Sequence, residues 1–306
     1  MEFFRTDLAV EAPCVASGDA KGITVDVQHR DGLTVTVVDV TNETGERMVQ
    51  KPVGRYVTLD IPELSMGDVD IERTAAEAFC GELTAMLGKP GGTDPFLVVG
   101  IGNRAVTADS IGPRTAEGIV VTRHLYGELK EFLPDHANSA CAIAPGVLGE
   151  TGLETGEVVR ALVKEIRPRA IIAVDSLAAR EPKRIAASIQ LANTGIAPGS
   201  GLKNHRPRLD EGYLGVPVYA VGVPMVVYAA SIAYEASAKA LKDETVPEGV
   251  RERLSHMLHT ACGDLVVTPK DVDFIAKNCA GVLALGINMA IHGMSYEEAV
   301  EQAAFS

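Results

Sequence analysis

Two aspartates stand where a sheet could present them for chemistry: Asp109 in "VTADSIGP" and Asp175 in "AVDSLAAR". Each follows a short apolar run, and they are separated by roughly two βαβ units of ~30 residues. In an open α/β sheet that spacing brings two loop carboxylates to one rim, at the carboxyl ends of neighbouring strands. Two close carboxylates cannot both ionise cheaply, so they share a proton. One then activates water while the other donates to a carbonyl oxygen or a leaving amine, which hydrolyses a peptide without a metal or a covalent intermediate. Asp is equally a favoured helix N-cap, and on pattern alone capping is the commoner use.

Other constellations compete. Asp109, Asp175 and His205 could together bind a hard divalent ion. Ser200 and His205 lie in the long aperiodic stretch from Gln190 to Pro217, but "APGSGL" is not the G-x-S-x-G elbow of a serine hydrolase. His256 and His259 share a helical face with Cys262, without the Glu of an H-E-x-x-H site; an exposed helix face is the simpler account. His29, His124 and His292 read as surface or structural. The stretch "VVGIGNRAVTADSIGP" (98–113) fits a loose dinucleotide pattern, G-x-G-x-x-A. That reading needs a helix directly after the loop and an acid at the end of the next strand. Gly112-Pro113 interrupts the first, and Thr122-Arg123 stands in place of the second.

The scaffold follows from periodicity. β-Branched runs "GITVDVQHR" and "GLTVTVVDV" flank a D-G step and predict a hairpin; "ERMVQKP" and "GRYVTLDI" extend a β-rich section over 22–61. Residues 70–87 repeat an apolar residue every fourth position and predict a helix, stopped by "GKPGG". Strands are expected at 96–102, 118–122, 140–146, 170–175 and 217–224, apolar on both alternations as in a parallel sheet covered on both faces. A helix is expected over 154–166 with Thr151 and Glu154 as its capping box, and another after Thr268 as N-cap with Pro269 at its first position. The result is a single α/β domain over 1–306: a three-layer α/β/α sandwich around a largely parallel sheet, with the 22–61 section as a β-rich appendage.

Composition narrows the partners. The chain has 306 residues and a net charge of −13, which argues against a nucleic-acid-binding surface. It has no Trp and 5% aromatics, too few for base-stacking platforms. Five widely spaced cysteines without a C-x-x-C pair predict reduced thiols in the cytoplasm. The N-terminus has no basic, apolar leader pattern. The longest apolar stretch, 279–291, is too short to span a bilayer and contains Asn288, so no membrane partner is expected.

Seven blocks, in one order along nearly the whole chain, carry a resemblance: "RTDLAVEA" (5–12), "VVGIGNRAVTADSIGP" (98–113), "IAPGVLGETGLETGEVV" (143–159), "AIIAVDSLAAR" (170–180), "IQLANTGIAPGSGLKNHR" (189–206), "LGVPVYAVGVPMVV" (214–227) and "VTPKDVDFIAKNCAGVLALGIN" (267–288). Together they resemble the spore germination proteases, endopeptidases of small acid-soluble spore proteins. The resemblance implies a fold related to the hydrogenase-maturation peptidases and an atypical aspartic peptidase with Asp109 and Asp175 as its catalytic pair. It implies no cofactor, small acid-soluble spore proteins as substrates, a homotetramer, and a zymogen of the developing spore that trims itself near Asp7–Leu8. Residues 1–7 would then be a short prosegment. Tyr228 follows "GVPMVV" where the family is expected to carry an aspartate. Neither "ADSIG" nor "VDSLA" is the D-[ST]-G turn of pepsin-like enzymes.

Overall fold

β-Branched and small apolar residues build one mixed sheet, and helices close over both of its faces. The computed structural model describes residues 6–17, 21–30, 32–88, 94–126, 129, 133, 137–197, 207–240 and 248–303. Its strands are β1 (Ile23–Arg30), β2 (Leu33–Val40), β3 (Gly54–Asp60), β4 (Phe96–Gly100), β5 (Ala140–Ile143), β6 (Ala170–Ala179), β7 (Ser188–Ala192), β8 (Val218–Tyr228) and β9 (Val266–Val267). They lie in the order β1-β2-β3-β7-β8-β6-β4-β5, with β9 paired to β8. The central run β8-β6-β4-β5 is parallel, as predicted. The hairpin also forms, Arg30 pairing with Leu33 across the D-G step. The β-rich N-terminal section joins the same sheet through antiparallel pairing of β3 with β7.

The helices are α1 (Pro13–Ser17), α2 (Glu43–Val49), α3 (Val69–Leu87), α4 (Ile111–Glu117), α5 (Leu148–Thr151), α6 (Thr155–Ile166), α7 (Glu211–Leu214), α8 (Ala229–Ala240), α9 (Glu248–Cys262), α10 (Val272–His292) and α11 (Tyr296–Ala303). On one face Phe79 and Leu83 of α3 and Leu283 and Ile287 of α10 pack on Val98, Ile172, Val174 and Val223. On the other, Val159 and Val163 of α6 cover Leu97, Val99, Ile171 and Ala173. Full burial of a side chain such as Phe79 contributes about 2–3 kcal/mol. These are the three layers that the alternating pattern predicts.

Several local expectations are corrected. "ERMVQKP" is not a strand: Asn42 caps α2 by accepting from the amides of Thr44 and Gly45, and Gln50 ends it in the left-handed region at φ 56°. The segment 118–122 is not a strand either. Its backbone groups find partners in α10: the buried Asn288 accepts from Val120 N (2.9 Å) and donates to Gly118 O (2.9 Å). The capping box of α6 is formed by Glu154 and Glu157, while Thr151 closes the short α5. Thr268 does not cap α10; its hydroxyl donates to Met225 O, and the helix begins at Val272. With 21 residues, α10 is long and apolar enough to cross a membrane by length and composition. Here it is a core helix, buried from Cys279 to His292 apart from Gly281. All five cysteines are free thiols.

Candidate active site

The glycine stretch after β4 folds into a tight loop rather than a phosphate cradle. Gly102 sits at φ 122°, and a Cβ there would lie 2.1 Å from the carbonyl oxygen of Asp109. Only glycine permits this backbone and this approach. The chain then makes a 3-10 turn over Thr107–Asp109, and Asp109 Oδ2 accepts from Asn103 N at 2.8 Å. Thr107 anchors the turn to α10 by donating to Asp273 (2.8 Å). Ser110 precedes α4 without a side-chain cap, so Asp109 does not cap that helix.

Asp175 corrects a second expectation. It lies inside β6, not in a loop, because the strand continues to Ala179. Strand β4 ends where Gly100 pairs with Val174. Asp175 is therefore the first residue of β6 beyond the end of β4, while β8 still pairs with it through Gly222. The departure of β4 opens the flank into which the 101–110 loop brings Asp109.

Both carboxyls are perturbed in one direction. Asp109 is raised above its ordinary range by burial, opposed by the hydrogen bond from Asn103. Asp175 is raised well above it, first by burial, next by the negative charge of Asp109; Asp7 adds a smaller push, and the amide of Ser176 (2.8 Å) opposes both. A buried carboxyl beside a less buried one is an arrangement in which one holds the proton and the other ionises.

A third carboxylate arrives from the N-terminus. The Asp7 amide donates to Ala178 O (2.8 Å), and Ala178 N donates back to Asp7 Oδ2 (2.8 Å). This pairing lets β6 run past the end of β4. Leu8 is fully buried against Leu177, Ala179 and Val227. The Glu11 carboxylate accepts from the amides of Arg180 (2.7 Å) and Glu181 (2.9 Å), with Arg184 Nε at 3.6 Å. Arg184 also pairs with Asp60.

Of the predicted site residues, Asp109, Asp175, Asp7 and Leu8 come together on this side of the sheet. Ser200 and His205 lie outside the described residues. His256 and His259 are exposed on α9, with Cys262 at its end. Among the described residues, no three His, Cys, Asp or Glu side chains are grouped to hold a metal. Tyr228 ends β8, paired with Val266. Residues that sequence reasoning missed are Gln190, Lys51 and Arg184. The signal available for Gln190 was a polar side chain inside the apolar run "SIQLA".

Residues 7–245 match the family model described as "Germination protease". The germination protease of Clostridium acetobutylicum is 39% identical, covering 95% of this chain and 96% of its own. That of Caldanaerobacter subterraneus subsp. tengcongensis is 39% identical at 96% of each chain, and that of Priestia megaterium 33% at 94% and 93%. Among solved structures, the NiFe hydrogenase maturation protease HycI from Thermococcus kodakarensis KOD1 aligns at TM-score 0.28 and 15% identity, over 59% of this chain and 98% of its own. The sheet described above, not that likeness, defines the fold.

Proposed function

Because the chain belongs to the germination protease family, we propose that it hydrolyses small acid-soluble spore proteins with Asp109 and Asp175 as a proton-sharing pair. It is a peptidase of that family; the aspartic mechanism, the substrate and the self-processing are our reading. The observation that carries it is the buried Asp175 carboxyl, raised by burial and by the charge of Asp109. Asp175 holds the proton, and the less buried Asp109 ionises first and takes the proton of the attacking water. The enzyme is made as a zymogen that cuts itself near Asp7–Leu8, works in the spore cytoplasm, and assembles as a homotetramer, an assignment that family membership supports. The sequence around the cut, acidic then apolar, small and acidic again, has the character expected of its substrate sites.

Asp109→Asn and Asp175→Asn test the pair. Both are expected to abolish substrate cleavage and self-trimming while the chain stays folded. Full activity in Asp175→Asn would sink the mechanism. The rival in which the same aspartates and His205 hold a metal predicts loss of activity in strong chelator and a bound metal by elemental analysis.

A further inference from the structure

The N-terminal segment lies on the sheet as a bound peptide would, and one side chain grips it on both sides of Leu8. Gln190 Nε2 donates to the carbonyl oxygen of Asp7 at 2.8 Å, and Gln190 Oε1 accepts from the amide of Ala9 at 2.7 Å. The Asp7–Leu8 peptide bond is inside that grip. Half-buried Lys51 steadies the preceding residue, its Nζ donating to Thr6 O at 3.1 Å.

Sheet register ties this amide to the carboxyl pair. Gln190 on β7 pairs with Gly222 on β8, and Gly222 pairs with Asp175 on β6. Residues in one register row point to the same face, and two strand steps of ~4.8 Å separate the outer pair by roughly 10 Å between Cα atoms. Gly222 contributes no side chain between them, and a Cβ there would lie 2.6 Å from Leu177 Cγ. The buried Leu177 side chain lies over Gly222, so a larger residue there would displace it.

We propose that Gln190 is the substrate clamp of this peptidase: it holds the bond to be cut and donates to its carbonyl oxygen while Asp109 and Asp175 act on the same bond. The proposal rests on the aspartate reading above. In self-trimming, water adds to the Asp7 carbonyl carbon and gives a proton to the ionised carboxylate. The Asp7–Leu8 C–N bond then breaks as the pair supplies a proton to the Leu8 nitrogen. The products are a carboxylate at Asp7 and an amine at Leu8. Throughout, Gln190 Nε2 faces the oxygen on which negative charge develops, where a fixed donor lowers the barrier.

The test uses the full-length chain, with self-trimming followed by intact mass and compared for the parent, Gln190→Ala, Gln190→Glu and Asp175→Asn. Thermal melts run alongside. Gln190→Ala is expected to trim about 100-fold slower, and Asp175→Asn not at all. Gln190→Glu keeps the acceptor for Ala9 but lacks the donor when ionised. Its rate relative to the parent should therefore recover as the pH falls and the new carboxyl protonates. A merely structural role predicts parallel pH profiles, so parallel profiles overturn the proposal even if Gln190→Ala folds poorly. Trimming at the parent rate in folded Gln190→Ala, with Asp175→Asn inert, overturns the clamp alone. A cut elsewhere than Asp7–Leu8 also overturns the clamp. Trimming in Asp175→Asn overturns the aspartate reading and the clamp with it.

Discussion

Asp109 brings its charge to bear on Asp175 just past the end of β4, where Gly100 makes the last pair with β6. Both carboxyls are raised, Asp175 further. Under the proposed mechanism, activity needs Asp109 ionised and Asp175 protonated. It should rise as Asp109 loses its proton and fall as Asp175 loses its own. The kcat/KM profile on a peptide bearing the sequence of residues 5–12 is expected to be bell-shaped. Both limbs should lie above the ordinary carboxylate range, and an acid limb at the ordinary value would contradict the burial argument.

The same burial costs stability. A carboxyl whose folded pKa is raised is no burden below its unfolded pKa, where it is neutral in both states. As the pH rises from there through the folded pKa, the unfolded chain releases the proton more readily and the native state loses ground. Asp175→Asn removes this penalty. It should melt about 2–4 °C higher than the parent at pH 7, with the gain shrinking toward pH 4. Calorimetry at the two pH values checks both statements.

Arg184 holds Glu11 and Asp60 from two sides, and the Glu11 side chain is only 2% exposed. Removing the cation leaves a buried carboxylate supported only by the amides of Arg180 and Glu181 and the hydroxyl of Thr6. Arg184→Ala should cost about 2–4 kcal/mol in urea unfolding, with the docked N-terminal segment affected first. Faster proteolysis near residues 6–12 would mark that local release.

Asn288 answers two backbone groups from within α10. Asn288→Leu keeps the branched heavy-atom shape and removes both partners, leaving Val120 N and Gly118 O without the Asn288 side chain. The expected loss is about 2–3 kcal/mol in a chemical melt. A neutral outcome would mean that the 118–122 segment finds other partners.

Much of this protein is written in its sequence at short range. The hairpin across the D-G step, α3 with its four-residue apolar repeat, α6 and the apolar parallel strands depend on residues within about twenty positions of one another. The two aspartates were legible for the same reason, since each sits beside a conspicuous turn or strand. The tertiary structure alone decided how far strands extend and which side chains share a row. Strand β6 continues past β4 because Asp7 satisfies the backbone of Ala178, a partner distant in sequence. Segment 118–122 stays irregular because a side chain of α10 takes the hydrogen bonds that a neighbouring strand would have made. Asp175, Gly222 and Gln190 fall in one row only through the pairing of β6, β8 and β7, and a slip of one residue would turn each side chain to the opposite face. The candidate catalytic pair was thus visible as residues, whereas the placing of Gln190 in the row of Asp175 is a product of register.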